Sequence, residues 1–323
     1  MSEDASSADR RFLPIDRPGA GVEADGLQAS TAGPTPPSLA RSLFLAARPR
    51  QWAKNALVVG APATAGVLLE PVSAARTAAA FVAFCLVASG VYYVNDLIDR
   101  AADRGHPIKR RRPIAAGHLS PGLATGVAIL LLAAGVLTGA AGAGTALAIV
   151  LLGYVALALA YAFVLRGVVL LDLAALTGGF VLRAVAGGVA VGVPLSSWFL
   201  IVVSFGSLFI ATGKRHAEYL GVGPGSHRST LASYSEPYLR YVQNTASTVA
   251  IAAYCLWAFE GAAGGPLWSG LSIVPFVLGT LRYALLLESG RGGSPEDLIL
   301  DDAAMLSCGL VWFCLVLIGV HLG

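Results

Sequence analysis

Of 323 residues, 56% are hydrophobic and only 13% charged, and the mean hydropathy is +0.70. Soluble domains carry nearly twice that charge fraction, so an ordinary soluble fold is excluded. The formal net charge of +3 is too small to point to a partner by itself, and no nucleic-acid partner is expected.

Residues 1–39 are rich in Ser, Asp, Gly, Ala and Pro without a sustained apolar period. They predict a disordered cytoplasmic tail with no signal peptide. A single membrane domain follows over residues 40–323, entered through an amphipathic stretch carrying Arg48, Arg50, Trp52, Lys54 and Asn55. The interval from Pro113 to Leu165 contains no Lys, Arg, Asp or Glu, enough for two membrane helices of about 20 residues each. About nine spans are predicted, over 56–70, 75–97, 120–139, 143–165, 168–190, 196–213, 242–260, 267–287 and 303–322. The expected fold is all-α, a polytopic membrane helix bundle. Cys85, Cys255, Cys308 and Cys314 lie in apolar segments without CxxC spacing and read as small buried hydrophobes.

The connections alternate. Gly139–Gly144, Gly192–Ser196 and Gly261–Pro266 are short and nearly uncharged; Arg100–Arg112, Arg166, Lys214–Arg240 and Glu288–Asp302 carry the charge. Lys and Arg accumulate in cytoplasmic loops, so the N-terminus and the charged loops belong in the cytoplasm of a bacterial plasma membrane.

The chemistry concentrates at the end of the second span. There Asn95, Asp96, Asp99 and Asp103 precede Lys109, Arg110, Arg111 and Arg112. Spacings of three and four put the carboxylates near one helix face, with Tyr92 one turn earlier. Acids at a helix C-terminus oppose its dipole, whereas a bound Mg²⁺ would relieve the conflict and bridge to substrate phosphates. The plainer alternative is a charged stop at the helix end, which accounts for the arginines but not for the acids. Deeper in the bilayer, Asp172 and Arg183 share a span but stand too far apart along its axis to pair directly. Each needs a partner on another helix or a polar cavity. For Arg183 the alternatives are a structural interhelical contact and an anion-binding guanidinium. Lys214 and Arg215 end the sixth span, where cations also serve as ordinary interface anchors. His106, His118 and His227 lack ligand spacing, and the Glu296–Asp302 group reads as a solvated helix start.

The NDLIDRAAD run on the second span resembles the first aspartate-rich motif, N-D-x-x-D-x-x-x-D, of the UbiA superfamily of intramembrane prenyltransferases. The resemblance covers about residues 43–323 and implies a helical bundle around a central cavity opening sideways to lipid. Prenyl-diphosphate users in that superfamily carry a second aspartate motif, where this chain reads ATGKRHAEY with Lys214 and Arg215. The stretches RPRQWAKN, VNDLIDRAADRGHPIKRRRPIAAG, FVLRAVAGG and GVPLSSWFL look like the branch that moves 5-phosphoribose from phosphoribosyl diphosphate (PRPP) onto a polyprenyl phosphate such as decaprenyl phosphate. The products of that branch supply cell-wall arabinan synthesis. Arg166 stands where that branch commonly has Lys.

The resemblance implies a site in which Asn95 and Asp99, helped by Asp96 and Asp103, hold Mg²⁺ on the donor diphosphate. Lys54, Lys109 and Arg166 would contact phosphates and Tyr92 would hydrogen-bond nearby. Lys214 and Arg215 would hold the 5-phosphate, and Arg183 an anionic group deeper in the cavity. An ordinary prenyltransferase and a membrane transporter remain as rival readings. Glycine-rich spans also allow a homo-oligomer.

Overall fold

The computed structural model describes residues 37–222, 230, 233–261, 266–289 and 295–322. The predicted tail over 1–36 and His227 lie outside these residues. Among the described residues all regular structure is helical: α1 Leu39–Ala47, α2 Leu57–Thr64, α3 Pro71–Ile98, α4 Arg100–Gly105, α5 Pro121–Ala143, α6 Thr145–Phe163, α7 Leu171–Val191, α8 Ser197–Val222, α9 Glu236–Leu256, α10 Pro266–Glu288, α11 Pro295–Asp301 and α12 Ala303–Leu322.

Seven of these, α3, α5, α6, α7, α8, α10 and α12, are long and apolar enough to cross a membrane, which corrects the expected nine. The other two predicted spans fail for different reasons. The first becomes α2, only eight residues long, with Pro62 inside it and a 3₁₀ turn over Pro49–Ala56 before it. The seventh becomes α9, which is long enough but carries Arg240, Gln243, Asn244 and Thr245 through its first half.

Local chemistry sets the helix starts. Pro71, Pro121 and Pro237 stand in first turns, where the missing N–H costs nothing and the fixed φ suits the helix. Ser38, Ser120 and Ser235 cap α1, α5 and α9, their hydroxyls accepting from Arg41, Leu123 and Tyr238 N–H at 3.3 Å each. α1 ends at Arg48 in the left-handed region (φ 54°), an uncommon conformation for a non-glycine residue.

The central helix is α3. Its Ala80, Ala83, Phe84, Val87 and Val91 are buried against Leu147, Leu151 and Tyr154 of α6, Ala186 and Ala190 of α7, and Val58 of α2. Apolar burial gives little drive for association inside lipid, so close backbone approach has to supply contact. Gly187 shows how close: a Cβ there would sit 1.9 Å from the Val58 carbonyl oxygen. That contact presses α2 onto α7. Ile129, Leu130 and Leu137 of α5 and Leu310 of α12 face outward, as lipid-facing residues do.

An apolar cavity of about 760 Å³ lies among α2, α7, α8, α9, α10 and α12. Leu57, Phe180, Phe199, Phe276 and Trp312 are among its walls. Lys54, from the 3₁₀ turn ahead of α2, is the one formally charged residue among the described residues that line it.

Candidate active site

α3 runs straight to Ile98, breaks at Asp99 (φ −84°, ψ 1°) and resumes as α4, so the aspartate motif straddles the break. The amide ladder continues across it, with Asp99 N–H on the Asn95 carbonyl at 2.9 Å and Asp103 N–H on the Asp99 carbonyl at 2.8 Å. The three carboxylates nevertheless part company. Asp96 and Asp103 point inward and are buried, while Asp99 and Asn95 stay half-exposed.

Arg112 joins the buried pair, its Nη1 donating to Asp96 Oδ1 at 3.1 Å and to Asp103 Oδ2 at 2.7 Å. Asp96 Oδ1 also accepts from Arg48 Nη2, and the Arg48 guanidinium lies 5.0 Å from the Tyr92 ring centroid. Two arginines therefore neutralise two buried acids, which is what burying ionised carboxylates demands. Asp99 turns to another segment, accepting from Arg166 Nη1 at 2.8 Å. Near Tyr92, Gln51 Oε1 accepts from Lys54 Nζ and lies 3.5 Å from the Tyr92 hydroxyl, which donates to it. Lys109 sits partly exposed in a 3₁₀ turn over Lys109–Arg111.

Among the described residues no three His, Cys, Asp or Glu side chains converge as metal ligands. The donor set still suits Mg²⁺ of the kind that takes one or two protein oxygens and completes its shell with phosphate and water. Asp99 and Asn95, the two more open members, are the residues that fit.

The remaining predicted cations lie deeper. Arg183 is buried and ties α7 to α6 and to the 3₁₀ turn ahead of α2 through neutral acceptors: Nε donates to Asn55 Oδ1 at 2.8 Å, Nη1 to the Gly179 carbonyl of its own helix at 2.7 Å and Nη2 to the Tyr154 hydroxyl at 2.8 Å. The Tyr154 ring centroid is 4.7 Å from the same guanidinium. Arg215 is also buried. Its Nε donates to Asp172 Oδ2 at 2.9 Å, Nη1 to Glu218 Oε2 at 2.7 Å and Nη2 to the Tyr161 hydroxyl at 2.8 Å. Asp172 and Arg183 thus each find partners on other helices, as their spacing requires. Lys214, the neighbour of Arg215, is half-exposed.

Leu170, at the start of α7, sits at φ 68°, a strained conformation costing about 1–3 kcal/mol unless the surroundings hold it. Its N–H donates to the Tyr234 hydroxyl at 2.8 Å, and that hydroxyl donates to Asp172 Oδ1 at 2.6 Å. Burial and the bond to Asp172 push the Tyr234 hydroxyl well above the usual phenol range, so it remains a donor at physiological pH. Arg48, Arg112, Tyr161, Gln51 and Tyr234 were not among the predicted site residues. Arg112 had a local signal, as the end of the basic run, and Arg48 and Gln51 lay in the RPRQWAKN stretch; Tyr161 and Tyr234 had none.

A family model for the UbiA prenyltransferase family matches residues 58–318, and the chain belongs to that family. It is 44% identical over 292 residues to decaprenyl-phosphate phosphoribosyltransferase of Corynebacterium glutamicum, a match that spans 87% of this chain and 88% of the relative. The protein of the same description from Mycobacterium tuberculosis is 42% identical over 297 residues, spanning 89% and 97% of the two chains. A UbiA homolog from Archaeoglobus fulgidus solved with GPP and Mg²⁺ shares the fold, with a TM-score of 0.66 at 16% identity over 86% of this chain and 98% of its own.

Proposed function

We propose that the chain transfers 5-phosphoribose from PRPP to a polyprenyl phosphate, decaprenyl phosphate in its relatives' description, with release of diphosphate. Identity above 40% over nearly the full length of proteins with that activity carries the reading. The geometry supports it: a polar aspartate and arginine site lies near Lys54, which also borders an apolar cavity suited to a lipid tail.

In this reading Asn95 and Asp99 would hold Mg²⁺ beside the donor diphosphate, with Asp96 and Asp103 supporting them. When bound, Mg²⁺ would supply charge stabilisation for the departing diphosphate. Arg166, already beside Asp99, contacts the same phosphates, and Lys109 approaches from the loop. Tyr92 and Gln51 orient Lys54, which meets the acceptor phosphate at the cavity mouth. An acceptor oxygen attacks ribose C1 as the C1–O bond to diphosphate breaks, and both electrons of that bond leave with diphosphate. The acceptor is already an anion, so no strong general base is needed. Lys214 meets the 5-phosphate, while Arg183 and Arg215 act through their neighbours. The site faces the cytoplasm, on the side of the charged loops, and the product feeds cell-wall arabinan synthesis.

Purified protein with Mg²⁺, polyprenyl phosphate and ribose-labelled PRPP tests this. Label should enter an organic-extractable lipid, and EDTA should stop it. A folded protein that transfers no label but consumes a prenyl diphosphate would return it to the ordinary prenyltransferases.

A further inference from the structure

The segment between α6 and α7 carries Arg166 to Asp99, yet it has little regular structure of its own, only a 3₁₀ turn over Leu165–Gly167. It is gripped from outside at two points. The Thr230 hydroxyl donates to the Arg166 carbonyl at 3.3 Å, and the Tyr234 hydroxyl accepts the Leu170 N–H at 2.8 Å. Both come from the connection between α8 and α9. Tyr234 is fixed in turn by Asp172, and Asp172 by Arg215, which Tyr161 and Glu218 hold from two further sides.

We infer that Tyr234 and Thr230 are positioning residues that hold the α6–α7 segment so that Arg166 reaches Asp99 and the donor diphosphate. The inference rests on the proposed donor role of Arg166. Tyr234, Asp172 and Arg215 are each at most 3% exposed, too deep to meet a water-borne donor themselves. A buried ion pair is a weak source of stability alone, since apolar residues of similar volume often do as well. What apolar residues cannot supply is a hydroxyl that satisfies the Leu170 N–H in its left-handed conformation while Asp172 fixes where that hydroxyl stands. The clamp is therefore directional, and the element it aims carries one functional side chain.

The test uses full-length protein in detergent or proteoliposomes. Tyr234→Phe removes only the hydroxyl and keeps the ring stacked on Tyr238, 6.0 Å away between centroids. The KM for PRPP should rise roughly tenfold, the size of one lost charge-linked hydrogen bond, with the KM for polyprenyl phosphate unchanged. In an Arg166→Ala background the same substitution should add less than about twofold, because the side chain being aimed is gone. Thr230→Val should show the same pattern and serves if Tyr234→Phe does not fold. Equal losses in the parent and Arg166→Ala backgrounds, or an unchanged PRPP KM in both folded clamp variants, would overturn the positioning role alone. An unchanged PRPP KM in Arg166→Ala itself would overturn the donor role of Arg166 and the clamp with it.

Discussion

Replacing Arg112 by Gln removes the one guanidinium shared by Asp96 and Asp103. Asp96 keeps Arg48, so most of the loss falls on Asp103, whose side chain is 5% exposed. Breaking a buried pair by deleting one partner costs about 3–5 kcal/mol. The Arg112 side chain is 27% exposed, so water screens part of that, and about 2–3 kcal/mol is expected. At roughly 2–4 °C per kcal/mol, the melting temperature in detergent should fall by roughly 5–10 °C. Asp103→Asn in the same chain should recover much of the loss, since the orphaned charge is then absent. The double-mutant coupling should exceed about 1 kcal/mol. Melting within about 1 °C of the parent for Arg112→Gln, with no coupling to Asp103, would refute the shared-guanidinium account.

Lys54→Ala should raise the KM for polyprenyl phosphate by roughly 10–100-fold, a lost charge-assisted contact, while the KM for PRPP moves little; steady-state kinetics against each substrate decide, and an equal rise for both would remove Lys54 from the acceptor side. Gly187→Ala should cost about 1–3 kcal/mol through overlap with the Val58 carbonyl, whereas Gly153→Ala, with nothing near its added methyl, should melt like the parent. Equal melting of the two variants would show that α2 is not pressed against α7. Asp301→Ala should leave stability within about 1 kcal/mol, because its 2.9 Å pair with Arg50 is exposed on both sides; a larger loss by thermal melting would mean that α11 is tied down by that pair.

The aspartate motif was legible because its four members fall within nine residues of sequence and their spacing is itself the signal, although the structure divides them between the end of α3 and α4. Their long-range pairing with counter-ions was not. Arg48 lies 48 residues before Asp96, and Arg166 lies 67 residues after Asp99, distances over which no local period operates. The membrane class and most spans followed from long apolar runs, yet two spans misled. Residues 56–70 have the composition of a membrane segment without the length of helix, and α9 has the length without the composition. Arg183 announced itself as a charge in an apolar span, but its partners Asn55 and Tyr154 are neutral and carry no pattern that pairs them with it. The acidic group near the last span was expected at a solvated helix start. Asp302 does cap α12, accepting the Met305 N–H at 3.0 Å, but it also accepts from Arg282 at 2.8 Å. Asp297 and Asp301 reach Arg50.

The shortness of α2 bears on how the protein is built into its membrane. Eight helical residues rise about 12 Å, well short of a hydrocarbon core of about 30 Å, and Pro62 weakens the helix further. Such a segment has little claim to insertion by itself. Its seat is made by Gly187, and the turn ahead of it is held by Arg183 through Asn55; Gly187 and Arg183 are both on α7, which the ribosome delivers only after three longer helices have passed. Residues 57–64 should therefore wait at the water–lipid boundary until α7 arrives. A cysteine placed at Val58, which is fully buried beside Gly187, should react with a water-soluble maleimide in chains truncated after α6 and become protected once α7 is present; protection in the truncated chains would mean that α2 inserts unaided.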